Sequence, residues 1–299
     1  MVGVAVAVLL AVVMLPLPAL AFGPVAHVDM GLDVITQAAG LASAAAAVVR
    51  AHPQEFLRGT LGPDRELAKN LAAYEKHSHN WERVLRQLDG AGDDPARSFF
   101  LGCLCHLAAD VVAHNYFVPM KIVESHRARY ASHLYWEMRF DARVRKKGQL
   151  KAIRALGLNS REHRRFLDTV VPGNLLGPRF NVRLTGMAMR LQRAMAFQSL
   201  SSYLDRESRL SLADPEVRDV RRLAIASQLS VVAATGQSPV AAIDARGIDS
   251  IARALRIRRH LRALVFRLGE PNPQAARIVH ESVREFRGQV AVLPESRRG

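Results

Sequence analysis

The fold is organised around residues Ser98 to Asp141, which read SFFLGCLCHLAADVVAHNYFVPMKIVESHRARYASHLYWEMRFD. Its long apolar runs predict buried helices, and on a helix residues four apart lie along one face. Polar side chains recur at this spacing in two columns, His106, Asp110 and His114 and then His133, Glu137 and Asp141. Two such columns facing each other would form a metal cluster.

The rest of the chain also has helical character. Its 299 residues are 49% hydrophobic, which is enough for one large core or two domains. Apolar residues recur at helical spacing and no run alternates as a strand, so the sequence predicts an all-α fold. The predicted helices lie at 33–50, 65–88, 99–115, 122–144, 161–170, 182–204, 215–235, 248–267 and 273–291.

The net charge of +15 is distributed unevenly. Residues 1–141 hold 12 Lys and Arg against 14 Asp and Glu, whereas residues 142–299 hold 30 against 13. The basic half would attract an anionic surface such as lipid phosphates, nucleic acid or a cell envelope. The alternative interpretation is an ordinary solvated, arginine-rich surface.

The N-terminus has the pattern of a leader. Residues 1–28 contain no charged side chain, and an apolar run is followed by Ala19-Leu20-Ala21, which is typical of a signal-peptidase site. We therefore expect a signal peptide at 1–21 and export to the periplasm or medium. The alternative is an uncleaved membrane anchor. Cleavage would create a new N-terminal amine at Phe22, five residues before His27, where it could share a metal ion with that histidine.

The surroundings of Asp110 bear on whether this is a metal site or ordinary core packing. It lies between Leu107-Ala108-Ala109 and Val111-Val112-Ala113, and an unpaired buried carboxylate is costly. The simplest alternative is a hydrogen bond to His106 across one helical turn. Recurrence of the motif at His133 and Glu137 favours a metal instead. The two cysteines, Cys103 and Cys105, are predicted to be buried thiols outside the register, and nitrogen and oxygen ligands without cysteine suit zinc.

In order along the chain, these motifs resemble the zinc-dependent phospholipases C, a superfamily that also contains single-strand-specific nucleases. The resemblance covers roughly residues 22–141. The residues that carry it are Phe22, His27, Asp64, Ser78-His79-Asn80-Trp81, His106-Leu107-Ala108-Ala109-Asp110, His114 and His133-Leu134-Tyr135-Trp136-Glu137.

The resemblance implies a helical bundle around up to three zinc ions. The first zinc would be held by Asp64, His79, His106 and Asp110, with His77 as an alternative to His79. The second would be held by His114, His133 and Glu137. The third would be held by the Phe22 amine and carbonyl, His27 and a bridging Asp110. Residues 22–150 would form the metal-binding core, and 151–299 a basic helical part of the same domain. The Asp110–His114 interval is two residues shorter than in the secreted phospholipases, which implies a rebuilt loop.

The activity implied is hydrolysis of the glycerol-side phosphoester of phospholipids by a zinc-activated water. Asp64 would act as general base, with Asp141 behind it to orient His133 or a bound water. The first alternative is a zinc nuclease or other phosphodiesterase, although aromatics near the site are few: Tyr116, Phe117, Tyr135 and Trp136. The second is a non-catalytic zinc-binding envelope protein. Partners would be an anionic phosphodiester and, through the basic half, a membrane surface.

Overall fold

A computed structural model of the chain describes residues 22–65, 79–128, 133–143, 208, 210–268 and 272–290. Within these ranges the regular structure is helical and contains no strand, which confirms the all-α prediction. The helices are α1 Pro24–Gln37, α2 Ala44–Ala51, α3 Pro53–Gly59, α4 Trp81–Asp89, α5 Asp94–Val112, α6 Val118–Glu124, α7 His133–Arg143, α8 Asp214–Ala234, α9 Ile248–Leu268 and α10 Pro273–Val290.

Helix α5 is the centre of the fold. Its N-cap is Asp93, whose carboxylate accepts the Ala96 N–H at 2.8 Å. From Ser98 onwards every residue of α5 is buried, because its faces meet α2, α3, α4 and α8. Among the described residues, Asp94–Glu124 is the one helical run long and apolar enough to cross a bilayer, but 94% of its most apolar window is buried inside the protein. Cys103 and Cys105 are buried free thiols, as predicted.

A π-helical turn, rather than a loop, follows α5. Ala113–Phe117 forms this turn and leads directly into α6. The expectation of a rebuilt loop after Asp110 was therefore wrong. The helical run also continues through Pro119, between the helices predicted at 99–115 and 122–144, because Pro119 lies in the first turn of α6, where the wider turn before it relieves the missing N–H.

Two other predicted helices are divided in the structure. The segment predicted at 33–50 consists of the end of α1, a short 3₁₀ turn at Ala38–Gly40 and α2, which starts at the cap residue Ser43. The segment predicted at 122–144 contains the end of α6, and α7 is described only from His133. The helices predicted at 161–170 and 182–204 lie outside the described residues.

Glycines allow α3 and α5 to cross at backbone contact. A Cβ on Gly59 would lie 1.9 Å from the Phe99 carbonyl oxygen, and one on Gly102 would lie 2.1 Å from that of Phe56. No larger residue fits at this crossing. The close approach fixes the segment after α3, which carries Asp64, against the buried face of α5.

The C-terminal helices pack against the same core. Helix α8 lies along α5 and α1, and Arg221 of α8 binds Asp29 at 2.8 Å and Asp33 at 2.5 Å on α1. Helices α9 and α10 cover α6 and the π turn. Described residues from 210 onwards thus hold both α1 and the π turn in place.

Candidate metal centre

Side chains from separate parts of the chain converge beside the middle of α5. His106 and Asp110 lie on α5 itself, and His114 lies in the π turn. The other members come from α1, from the 3₁₀ turn Pro63–Arg65, from the residue two before α4 and from α7. They form three groups with metal-binding geometry, of which the first two share His106: His27, Asp64 and His106; His79, His106 and Asp110; and His114, His133 and Glu137.

Side chains of the first two groups surround one oxygen of Asp110. Oδ2 of Asp110 lies 3.2 Å from Nε2 of His79 and 3.2 Å from Nε2 of His106. The two Nε2 atoms are themselves 3.2 Å apart. Oδ1 of Asp64 is 3.4 Å from His79 Nε2 and 3.7 Å from His106 Nε2. One nitrogen or oxygen atom from each of four side chains therefore faces a common point.

The other oxygen of Asp110 faces a different histidine. Its Oδ1 lies 3.4 Å from Nε2 of His27, whose ring stacks on that of His106 at 3.9 Å between centroids. Asp110 is fully buried between these histidines. Its two oxygens point to two neighbouring positions, which is the arrangement required of a carboxylate that bridges two ions.

The third group, His114, His133 and Glu137, joins the π turn to α7. His133 Nε2 and Glu137 Oε1 are 2.8 Å apart across one helical turn, and the rings of His114 and His133 are 4.9 Å apart between centroids. His114 and Glu137 are buried, whereas His133 is partly exposed. This group faces the Asp110 group closely enough for Asp110 and His79 to influence the charge of His114.

These residues fit zinc. Ligand atoms bound tetrahedrally at 2.0–2.2 Å from zinc lie about 3.3–3.6 Å from one another, close to most of the separations around Asp110. Within the described residues, both ring nitrogens of His27, Nε2 of His114 and both oxygens of Asp110 and Glu137 make no hydrogen bond of normal geometry. Buried polar atoms in this state are expected where they coordinate an ion.

Two backbone carbonyls orient the histidines. Nδ1 of His106 donates to the Thr60 carbonyl at 2.8 Å, and Nδ1 of His114 donates to the Ala245 carbonyl at 2.7 Å, which leaves each Nε2 lone pair for a metal. Sequence reasoning missed both contacts, because a carbonyl that accepts a hydrogen bond has no signature in residue type.

The turn that carries Ala245 is shaped for this contact. Gly247 has a φ of +55°, and a Cβ there would lie 2.4 Å from the His114 carbonyl oxygen. Asn115 adds two hydrogen bonds, from Nδ2 to the Asp244 carbonyl at 2.9 Å and from the Ser250 hydroxyl to Oδ1 at 2.9 Å. The glycine is the one signal in the sequence that could have indicated close backbone packing here.

Burial keeps two of the histidine ligands, His114 and His27, ready to bind. It lowers the pKa of His114 to about 3, with a smaller contribution from His133, and it lowers the pKa of His27 together with the nearby His106. Both imidazoles are therefore neutral near pH 7, the form that binds a metal. Burial raises the pKa of Glu137 to about 7, and binding of a cation would reverse that effect.

Asp141 has different contacts from those expected. Its carboxylate accepts the N–H of Ala26 at 3.1 Å and those of Val25 and Gly23, so it caps the N-terminus of α1. Gly23 is required there, since a Cβ would lie 1.9 Å from Asp141 Oδ2. Asp141 was expected to orient His133. It instead holds the segment that carries His27, because the first turn of α1 lies against α7.

The remaining predicted ligands divide into two cases. Phe22 is fully buried, and its ring packs against Phe140 at 4.6 Å, His27 at 6.0 Å and Phe117 at 6.3 Å between centroids. These are contacts of its ring, and ligation of a metal by its amine and carbonyl stays a prediction. His77 lies outside the described residues, whereas His79 is at the centre of the site.

The family described as zinc dependent phospholipase C matches residues 26–179, slightly more than half of the chain. This chain belongs to the zinc-dependent phospholipase C family. The resemblance identified from the sequence is thereby confirmed, and the protein is a phospholipase C-like zinc enzyme. Comparison with curated proteins and with solved structures gave no match. In this member of the family, the Ala245 carbonyl that orients His114 comes from beyond the matched residues.

Replacing Asp141 by Ala is expected to weaken metal binding at His27. Loss of a helix cap costs about 1–2 kcal/mol, and here the freed segment carries a ligand. Asp93→Ala is the matched control, because it removes a comparable cap from α5 at a point before the ligands begin. Both variants should lose similar thermal stability, and only Asp141→Ala should bind less zinc by metal analysis. Equal zinc content in the two variants would contradict this role.

Proposed function

We propose that this protein is an exported phospholipase C that releases diacylglycerol and a phosphorylated headgroup from phospholipids, with up to three bound zinc ions. The observation that carries the proposal is the pair of Asp110 oxygens, each directed at a different set of histidine nitrogens at 3.2–3.4 Å. A carboxylate shared in this way supports a cluster of adjacent ions rather than a single structural one. Family membership supports the phospholipid substrate.

The chain supplies three sets of ligands. His79, His106, Asp64 and Asp110 would hold one ion, and His114, His133 and Glu137 a second. A third would need His27, Asp110 and the Phe22 amine, which exists only after cleavage at Ala21. Zinc bound here supplies Lewis acidity, which offsets phosphate charge and acidifies water.

Asp64 is the proposed general base. It lies at the edge of the first group and is partly exposed, whereas Asp110 is fully enclosed. In the reaction, water attacks phosphorus, the bond from phosphorus to the glycerol oxygen breaks, and a proton passes to the departing diacylglycerol. Asp64 would accept the proton of the attacking water at a carboxylate oxygen.

The nuclease alternative has weaker support. Such an enzyme stacks bases on exposed aromatic faces. Phe117 and Trp136 are almost fully enclosed and Tyr116 is 5% exposed, so these three offer no stacking surface. Tyr135 is partly exposed, but the Arg139 guanidinium lies over its ring, 5.8 Å from the centroid.

The function is tested by product analysis. Zinc-loaded protein beginning at Phe22 is incubated with phosphatidylcholine vesicles and, separately, with single-stranded DNA. Release of phosphocholine and diacylglycerol is the expected result. Release of nucleotides alone would identify a nuclease, and bound zinc without turnover of either substrate would indicate a non-catalytic protein. N-terminal sequencing of the exported protein tests cleavage before Phe22, and any other start would remove the proposed third ligand set.

A further inference from the structure

The large apolar side chains that are exposed in the described part of the chain all lie on one helix, α9. They are Ile248, Leu255, Phe266 and Leu268, with exposed fractions of 51%, 43%, 91% and 64%. At 91% exposed, the Phe266 side chain contributes almost no buried apolar area to the fold. A partner that covers this face would remove that apolar area from water.

Three of these side chains form a line. Ile248, Leu255 and Phe266 are separated by seven and eleven residues, which are near-integral numbers of helical turns. The opposite face of α9 packs against α6 and the π turn and includes the buried Ala254 and Leu261. The exposed line is therefore about 27 Å long at 1.5 Å per residue and runs along the outer side of the helix.

Arginines interrupt and border this line. Helix α9 holds six arginines and one acidic residue, Asp249. Arg259 and Arg262 lie on the same face as Phe266, and Arg256 and Arg267 lie along one edge. All four are exposed. Arginines beside exposed apolar side chains, with one acidic residue on the helix, are typical of a surface that lies on anionic headgroups above an apolar layer.

Neutral backbone carbonyls hold two arginines of α9 in place. Arg262 donates to the backbone carbonyls of His126 at 2.5 Å and Ala128 at 2.8 Å, contacts that fix the guanidinium without neutralising it. Arg258 also donates to Ala128, and burial together with repulsion from Arg262 lowers its pKa. Arg253, in contrast, is paired with Glu285 and faces α10.

The line begins beside the metal centre. Ile248 directly follows Gly247, which contacts the His114 backbone, and the preceding turn orients the His114 ring through Ala245. A surface bound along α9 would thus be in contact with the element that holds one ligand. The four consecutive residues Ala245 to Ile248 thus connect the lipid-compatible face of α9 to the metal centre.

We propose that the outer face of α9, defined by Ile248, Leu255, Arg256, Arg259, Arg262, Phe266 and Arg267, docks the protein on bilayers that contain anionic phospholipids. Arginine guanidinium groups would bind lipid phosphates in a bidentate manner. Phe266, Leu255 and Ile248 would enter the boundary between headgroups and acyl chains. Docking on this face does not require turnover and is separable from the proposed function.

Vesicle sedimentation tests the proposal. Zinc-loaded protein is mixed at low temperature with phosphatidylcholine vesicles that contain or lack phosphatidylglycerol. Wild-type protein should bind the anionic vesicles more tightly. Phe266→Ser should bind them about tenfold more weakly, through loss of apolar insertion. Arg256→Gln with Arg259→Gln should bind about thirtyfold more weakly, at about 1 kcal/mol per arginine near an anionic surface.

The matched control removes the same charge elsewhere. Arg86→Gln with Arg97→Gln changes two exposed arginines on α4 and α5 and should bind anionic vesicles like wild type. All variants should hydrolyse a short-chain phospholipid in monomeric solution at the wild-type rate and unfold at the wild-type temperature. Vesicle binding without hydrolysis of either lipid would support docking while contradicting the proposed function.

Several results would overturn the docking surface. Wild-type protein that does not sediment with anionic vesicles would do so, and so would α9 variants that bind like wild type or a control pair that is equally impaired. Self-association of wild-type protein that is lost in Phe266→Ser, with vesicle binding unchanged, would assign the face to a second copy of the chain instead.

Discussion

Asp110→Asn is expected to lose most bound zinc and to reduce phospholipid hydrolysis by more than about a hundredfold, the upper end of losses caused by removing groups that only support a ligand. Asp110 contacts both the His79–His106 pair and His27, through different oxygens. An amide of the same shape keeps the packing but removes the negative charge and one lone-pair-bearing oxygen. Two ion positions are therefore affected by one substitution.

The control for this change lies on the same helix. Asp94 is an exposed residue in the first turn of α5, and Asp94→Asn removes the same charge away from the ligands. Metal analysis and a diacylglycerol assay on both variants separate a bridging role from a general effect of charge. Full zinc content in Asp110→Asn would contradict the bridging geometry, and equal losses in both variants would contradict its specificity.

Removal of the metal is expected to lower the unfolding temperature by about 10 °C or more. An ion present at a thousandfold excess over its dissociation constant stabilises the folded state by about 4 kcal/mol, and each kcal/mol corresponds to about 2–4 °C in a domain of this class. Without cations, both carboxylate oxygens of Asp110 and of Glu137 and both ring nitrogens of His27 lack a hydrogen bond of normal geometry among the described residues. That cost would be borne by the folded state alone.

Differential scanning calorimetry with a chelator measures this effect. Addition of zinc in excess of the chelator should restore the original transition, whereas magnesium should not, because histidine nitrogens suit zinc better than magnesium. An unchanged transition after metal analysis has verified removal of zinc would show that the ligand groups are stable without ions. The Asp141→Ala variant should lose less on chelation than wild type, since part of its site is already loosened.

The helical register was predictable because it depends on spacing alone. His106, Asp110 and His114 are four residues apart, and recurrence of the motif at His133 and Glu137 favoured a bound metal over a simple hydrogen bond between His106 and Asp110. The same reasoning placed His133 and Glu137 on one face of α7, where their side chains are 2.8 Å apart. The choice of His79 over His77 came from the family resemblance, and the structure places His79 at 3.2 Å from Asp110.

The contacts of Asp141 were not predictable from its spacing. It continues the column of His133 and Glu137 by one turn, which suggested a place beside the metals. Its carboxylate instead accepts the backbone N–H groups of Gly23, Val25 and Ala26. Ala26 is 115 residues away from Asp141 in the sequence. Backbone N–H groups at a helix start attract a carboxylate whatever their side chains are, so the sequence contains no partner to search for.

The helical class, the apolar central helix and the two columns of candidate ligands that include Asp110 and Glu137 follow from residue type and a helical period of 3.6. How those side chains meet depends on tertiary contacts. The π turn aims His114, the glycine crossing of α3 and α5 fixes the segment that leads to Asp64, and the Thr60 and Ala245 carbonyls select the free nitrogen of each histidine. These contacts join backbone atoms far apart in the chain, and backbone atoms are the same in every residue.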